Sequence, residues 1–127
     1  MKNLNKLLEL QEQYAQDSEW FHSCSPDFYL KSMLLETEEA LQELNNGNNE
    51  ALEDELGDIL WIAVNIIRKA ESLNQINTER LIDRSVEKFH ERMPYIREGR
   101  KLKSREEGTL LWNEAKKRQK ERKKIEF

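Results

Sequence analysis

Apolar residues return every three or four positions along most of this chain, the period of an α-helix with one buried face. Leu4, Leu7, Leu8 and Tyr14 predict a first helix over 3–17, with Asn3 as its N-cap. The run SEWFHSCSP, residues 18–26, interrupts the period with turn-forming residues and three rings. Ser25-Pro26 reads as an N-cap followed by a first-turn proline. The second helix, 26–45, carries Leu30, Leu34, Thr37, Leu41 and Leu44 along one face. NNGNN ends it, and Gly47 suits the left-handed residue past a helix C-terminus. Asn48 or Asn49 caps a third helix, 49–73. Its middle, Ile59 to Ile67, is apolar nearly all round and predicts the central element. Asn77 or Thr78 caps a fourth, 78–92, with Leu81, Ile82, Val86 and Phe89 expected inward and Pro94 as its stop. LLWNEAKKRQKERKK predicts a last helix. Short connections between long helices imply antiparallel neighbours. The expected fold is all-α, an antiparallel four-helix bundle over 1–96, with a basic segment, 97–127, packing on or closing over the site.

Composition supports helix over sheet: 127 residues contain four Gly and two Pro. Charged residues make up 36% and mean hydropathy is −0.92, yet the apolar positions are periodic, which argues against disorder. The single cysteine, Cys24, forms no internal disulfide and reads as an inert thiol. With no apolar run near 18 residues and no signal peptide, the expectation is a cytoplasmic protein without a membrane span. Charge is uneven. Residues 1–96 hold 9 Lys/Arg against 19 Asp/Glu, and residues 97–127 hold 12 against 6. A basic end on an acidic body either reaches for an external polyanion or folds over a phosphate ligand.

The candidate chemistry lies in two spaced acid pairs. Glu36-Thr-Glu-Glu39 sits on the second helix and Glu55-Leu-Gly-Asp58 on the third. Acids at i, i+3 share a helix face, and the residues between the pairs, 40–54, suffice to finish one helix, turn and start the next. Four converging carboxylates repel one another, and a divalent cation resolves the conflict. An all-oxygen set suits a hard ion, Mg²⁺ first and Mn²⁺ second. Gly57 would leave room for close approach between the two acids.

LLETEEALQEL followed by DELGDILW resembles the MazG-like nucleoside triphosphate pyrophosphohydrolases. Their signature is Glu-x-x-Glu, a spacer, then Glu-x-x-Asp, which Glu36, Glu39, Glu55 and Asp58 match. Trp20 is similar to a tryptophan of the family's N-terminal segment. Lys88 and Arg92 ahead of Pro94 resemble the stretch that ends its fourth helix, and Trp112-Asn-Glu-Ala-Lys116 its C-terminal Trp-x-x-x-Lys. The chain departs from the pattern at Leu35, often Glu in relatives, at FHSCS, residues 21–25, and at Met93, a histidine in relatives.

The resemblance implies an all-α homodimer or homotetramer. It implies Mg²⁺ held by the four acids, and cleavage of an NTP or dNTP to monophosphate and pyrophosphate, as in removal of unwanted nucleotides. In that chemistry Glu39 or Glu38 would take the proton of the attacking water. Lys88 and Arg92, at i, i+4, can meet one phosphate chain. Lys116 and the basic segment could close over the phosphates, and Trp20 and Trp112 could stack a base. Two other readings stand beside it. One keeps the fold with a dUTP/dCTP or phosphoribosyl-ATP substrate. The other is a non-enzymatic helical interaction protein with a basic tail. No nucleic-acid partner is expected, since the tail lacks interleaved aromatics and such a partner leaves the paired acids unexplained.

Overall fold

The computed structural model describes residues 2–126. The described residues form seven helices: α1 (Lys2–Asp17), α2 (Glu19–Ser23), α3 (Pro26–Asn46), α4 (Asn49–Ser72), α5 (Thr78–Arg92), α6 (Pro94–Arg97) and α7 (Arg105–Glu126). Among the described residues there is no strand, so the fold is all-α. Among the described residues no helix is long and apolar enough to cross a membrane.

The caps lie where the side chains dictate. The Ser25 hydroxyl accepts the Phe28 N–H at 3.2 Å and Pro26 occupies the first turn. Gly47 closes α3 with φ +71°, a conformation that disfavours a side chain. Asn48 caps α4 by accepting the Ala51 N–H at 3.1 Å. Two local expectations change. Asn3 lies inside α1 rather than capping it. The interrupted stretch at 18–26 contains a helix of five residues, α2, because Ser18 accepts the Phe21 N–H and Phe21 is buried. Tertiary burial outweighs the weak helix tendency of so short a run.

The chain divides into two compact units, residues 1–78 and 79–127. In the second unit α6 follows α5 directly, and Arg97 reaches Glu87 at 2.9 Å.

In the first unit α3 and α4 form a tight antiparallel hairpin. The α1 helix lies against α4, where buried Gln11 donates to Asn65 Oδ1 at 3.3 Å. Asn65 in turn donates to the Trp61 carbonyl at 2.9 Å, so it is a satisfied interface residue. The Tyr14 ring meets Phe21 and Trp61, each at 5.7 Å, and its hydroxyl lies 3.3 Å from that of Tyr29. Phe21, Cys24, Tyr29 and Ala40 are the buried apolar residues of this unit. The leucine face of α3 is not among them. Leu30, Leu34, Leu41 and Leu44 are exposed, Leu34 to 67%, while Tyr29 and Ala40 fill the inner side of the helix.

In the second unit α7 packs beside α5. Arg92 Cζ sits 4.9 Å from the Trp112 ring and 5.6 Å from Phe89, and the two rings stack at 5.8 Å. Ala115 is fully buried. The expectation that Leu81, Ile82, Val86 and Phe89 face inward is corrected: no residue of α5 is buried. Those four, with Met93 and Ile96, line an open apolar groove of about 400 Å³. The amphipathic period is real, but no element of this unit covers the groove.

Candidate metal centre

Both i, i+3 pairs form on helices as expected, and the hairpin brings three of their four acids together. Carboxylate oxygens of Glu36, Glu39 and Glu55 all lie within 4.8 Å of one another. Glu36 and Glu55 are half-buried and Glu39 is exposed. Asp58 lies one turn beyond Glu55, exposed and outside this group. Glu38 is exposed and also outside it. Residues two apart do not share a helix face, so Glu38 points away from the side that carries Glu36.

The electrostatics of the trio are unresolved by the chain itself. Glu36 Oε2 and Glu55 Oε2 are buried and have no hydrogen-bond partner. Two ionised carboxylates have only acceptors to offer each other, so the contact is bare repulsion unless a proton or a cation enters. The Glu55 carboxyl is accordingly pushed up to about 7, chiefly because its protonated form can hydrogen-bond to Glu36, then by loss of solvent, then by Glu39. A shared proton is one remedy and a divalent ion the other. The donor set is all oxygen, with two orphaned atoms among groups that lie within 4.8 Å of one another, and it fits a hard cation.

Gly57 has a different meaning from the one its spacing suggested. Two residues from Glu55, it lies on the other side of α4. A Cβ built there meets nothing within 4 Å. It therefore does not provide clearance between the acids.

The other sequence-marked residues fall into two groups. Trp20, 61% exposed, is in the same unit as the acids and meets the Phe28 ring edge-on at 6.0 Å. His22 lies beside it on α2. Lys88, Arg92, Trp112 and Lys116 all belong to the second unit. Arg92 is held there: its guanidinium is stacked on Trp112, and its Nε donates to Gln119 Oε1 at 3.0 Å. Trp112 is half-buried by the same packing. Lys88 and Lys116 remain exposed. Sequence reasoning missed Phe28 as the neighbour of Trp20. It also missed Gln119 and Glu91, the residues that occupy Arg92 and its helix. They lie 27 to 31 positions away from their partners, and no local signal marks them.

Comparison with known proteins agrees with the all-α fold. The sequence model of the MazG nucleotide pyrophosphohydrolase domain matches residues 25–97, more than half of the chain and including all four acids. Among solved structures, the crystal structure of a MazG-related protein from Thermotoga maritima superposes with a TM-score of 0.81 at 29% identity, covering 89% of this chain and 98% of that one. No curated protein matches the chain. With the acid pairs lying inside the matched region, the chain belongs to the MazG nucleotide pyrophosphohydrolase domain family.

Proposed function

We propose that this protein hydrolyses nucleoside or deoxynucleoside triphosphates to the monophosphate and pyrophosphate, using a divalent cation held by Glu36, Glu39, Glu55 and Asp58. One observation carries the reading: the paired acid oxygens of Glu36 and Glu55 are buried without a donor in a chain of this family. A bound cation, Mg²⁺ before Mn²⁺, would neutralise phosphate oxygens and acidify water. Glu36 and Glu55 would direct their orphaned oxygens at it, and Asp58, exposed one turn along α4, would be the fourth ligand. Glu39 is favoured over Glu38 as the group that takes the proton of the attacking water. It is exposed and within the trio, whereas Glu38 is outside it. Lys88, Arg92 and Lys116 are the proposed phosphate contacts, with Trp20 and Trp112 as base contacts. Because Arg92 is stacked on Trp112, Lys88 and Lys116 are the freer cations of the set. The proposed setting is the cytoplasm.

The proposed assembly is a homodimer, or a tetramer built from it, with a second copy covering the leucine face of α3. Leu30, Leu34, Thr37, Leu41 and Leu44 repeat at alternating steps of four and three, the seam spacing of paired helices. Burying each exposed leucine is worth on the order of 1 kcal/mol. A stable interface takes about 800 Å² from each partner, which these side chains and exposed Leu56 and Leu60 of α4 can begin to supply. Sedimentation of wild type against Leu34→Glu/Leu41→Glu tests it: a wild-type monomer sinks the assembly.

The activity test is direct. Each NTP and dNTP is incubated with the protein and Mg²⁺, and monophosphate and pyrophosphate are measured. Turnover that Glu39→Gln and Asp58→Asn reduce supports the reading. No turnover of any nucleotide, with both variants binding metal as wild type does, overturns it.

A further inference from the structure

Lys69 is 5% exposed, yet it forms no ion pair among the described residues. A buried ammonium needs compensation, and here it comes from main-chain oxygens. Nζ donates to the Phe21 carbonyl at 2.9 Å and to the His22 carbonyl at 3.0 Å. These carbonyls lie in the last turn of α2, where helix carbonyls lack intrahelical partners and the dipole favours a cation. The same Nζ lies 5.0 Å from the centroid of the buried Phe21 ring.

A helix of five residues does not hold itself. Its N-terminal end is capped by Ser18, and its C-terminal end is gripped by Lys69. Between those points sits Trp20, with an open ring set edge-on against the exposed Phe28 ring at the start of α3. The unit that contains the acid trio thus presents an aromatic shelf whose angle is set by a lysine on α4, the helix that also carries Glu55.

We propose that Lys69 is a positioning residue. By clasping the carbonyls of Phe21 and His22, it holds α2 so that Trp20 and Phe28 offer a stacking surface to the nucleobase. This rests on the pyrophosphohydrolase reading above. Lys69 touches neither substrate nor metal; it acts through Trp20.

The chain supplies its own reporter. Cys24 is its single cysteine. It is 8% exposed, and its N–H closes α2 by donating to the Trp20 carbonyl at 3.1 Å. Lys69→Met keeps the bulk and removes the donors. The expected result is at least about a tenfold faster reaction of Cys24 with an aromatic disulfide reagent, and a KM for the preferred nucleotide raised about tenfold, the scale of one lost base stack. kcat stays within about twofold. Trp20→Ala raises KM similarly, and the double variant is no worse than either single one, as expected for residues acting as one unit. Lys69→Arg, which keeps a buried cation, retains most of the protection of Cys24, and it is the variant to read if Lys69→Met loses a cooperative melt. The proposal is overturned if Cys24 stays protected in Lys69→Met, if kcat rather than KM falls, or if the two KM effects multiply. The labelling arm needs no turnover. A protein that hydrolyses no nucleotide fails the functional reading, while Cys24 still reports on the clasp.

Discussion

An acid trio and a lone carboxylate in this protein meet the same electrostatic problem in opposite ways. In the second unit Glu91 accepts from Arg122 at 2.6 Å and from Gln119 at 3.1 Å, and Arg118 stands 3.5 Å away. Its carboxyl is held below the ordinary value, first by the Arg122 hydrogen bond. In the first unit Glu36, Glu39 and Glu55 face one another with no Lys or Arg paired to them among the described residues, two oxygens are orphaned, and Glu55 is pushed up to about 7. Lys and Arg are not scarce in the chain, which carries 21. An acid cluster that folding leaves uncompensated is the kind of feature that marks a site rather than a structural joint. Glu91 fastens α7 to α5; the trio, on the reading proposed above, would take its cation from outside.

That contrast is open to attack by mutation. The largest effect is expected at the trio: Glu36→Gln or Glu55→Gln should lower kcat by at least about 100-fold, beyond what loss of an outer metal partner does. The melting temperature of the metal-free protein should hold or rise, since repulsion is relieved. Steady-state kinetics and calorimetry on the same samples check both. Glu91→Gln should behave in reverse. It leaves Mg²⁺ binding unchanged and destabilises by on the order of 1 kcal/mol through lost charge-assisted bonds, read by denaturant unfolding.

The pH dependence of melting separates the trio from Glu91 by sign. Glu55 binds its proton more tightly folded than unfolded. In chelator-treated protein its contribution is therefore full below the ordinary value of 4.5 and is lost as pH rises through about 7. Glu91 is lowered, so its contribution is present above the ordinary range and is lost as pH falls through its folded value. Glu55→Gln should flatten the neutral-side decline alone, and Glu91→Gln the acid-side decline alone. The smallest effect is expected at Gly57→Ala. Helix propensity should stabilise by up to about 1 kcal/mol, with metal affinity unchanged because the position lies away from Glu55. A large loss of affinity would restore a role for Gly57 in the site.

The elements were legible because their signals are local. Ser25-Pro26, Gly47 and Asn48 each fix a boundary through their own backbone or first-turn bonds. The acid pairs were legible because i, i+3 spacing on neighbouring helices is readable in one dimension. What sequence could not supply was which apolar faces the chain itself covers. The stripes on α3 and α5 have helical periodicity whether or not a partner element exists, and both prove open. Pairings across long separations were equally hidden. Gln11 with Asn65, Lys69 with the end of α2, and Arg92 with Gln119 depend on packing that no short motif encodes.

A cation completing Glu36, Glu39 and Glu55, as proposed above, is open to isothermal titration of the chelator-treated protein with Mn²⁺ in buffers of differing ionisation enthalpy. The expected result is saturable binding that releases protons at pH 6 to 7, as Glu55 gives up the proton held near neutrality. That release should vanish by about pH 9, with Glu55→Gln weakening the binding and Glu91→Gln leaving it intact. Absence of binding, or binding with no proton release that Glu91→Gln weakens as much as Glu55→Gln, would contradict it.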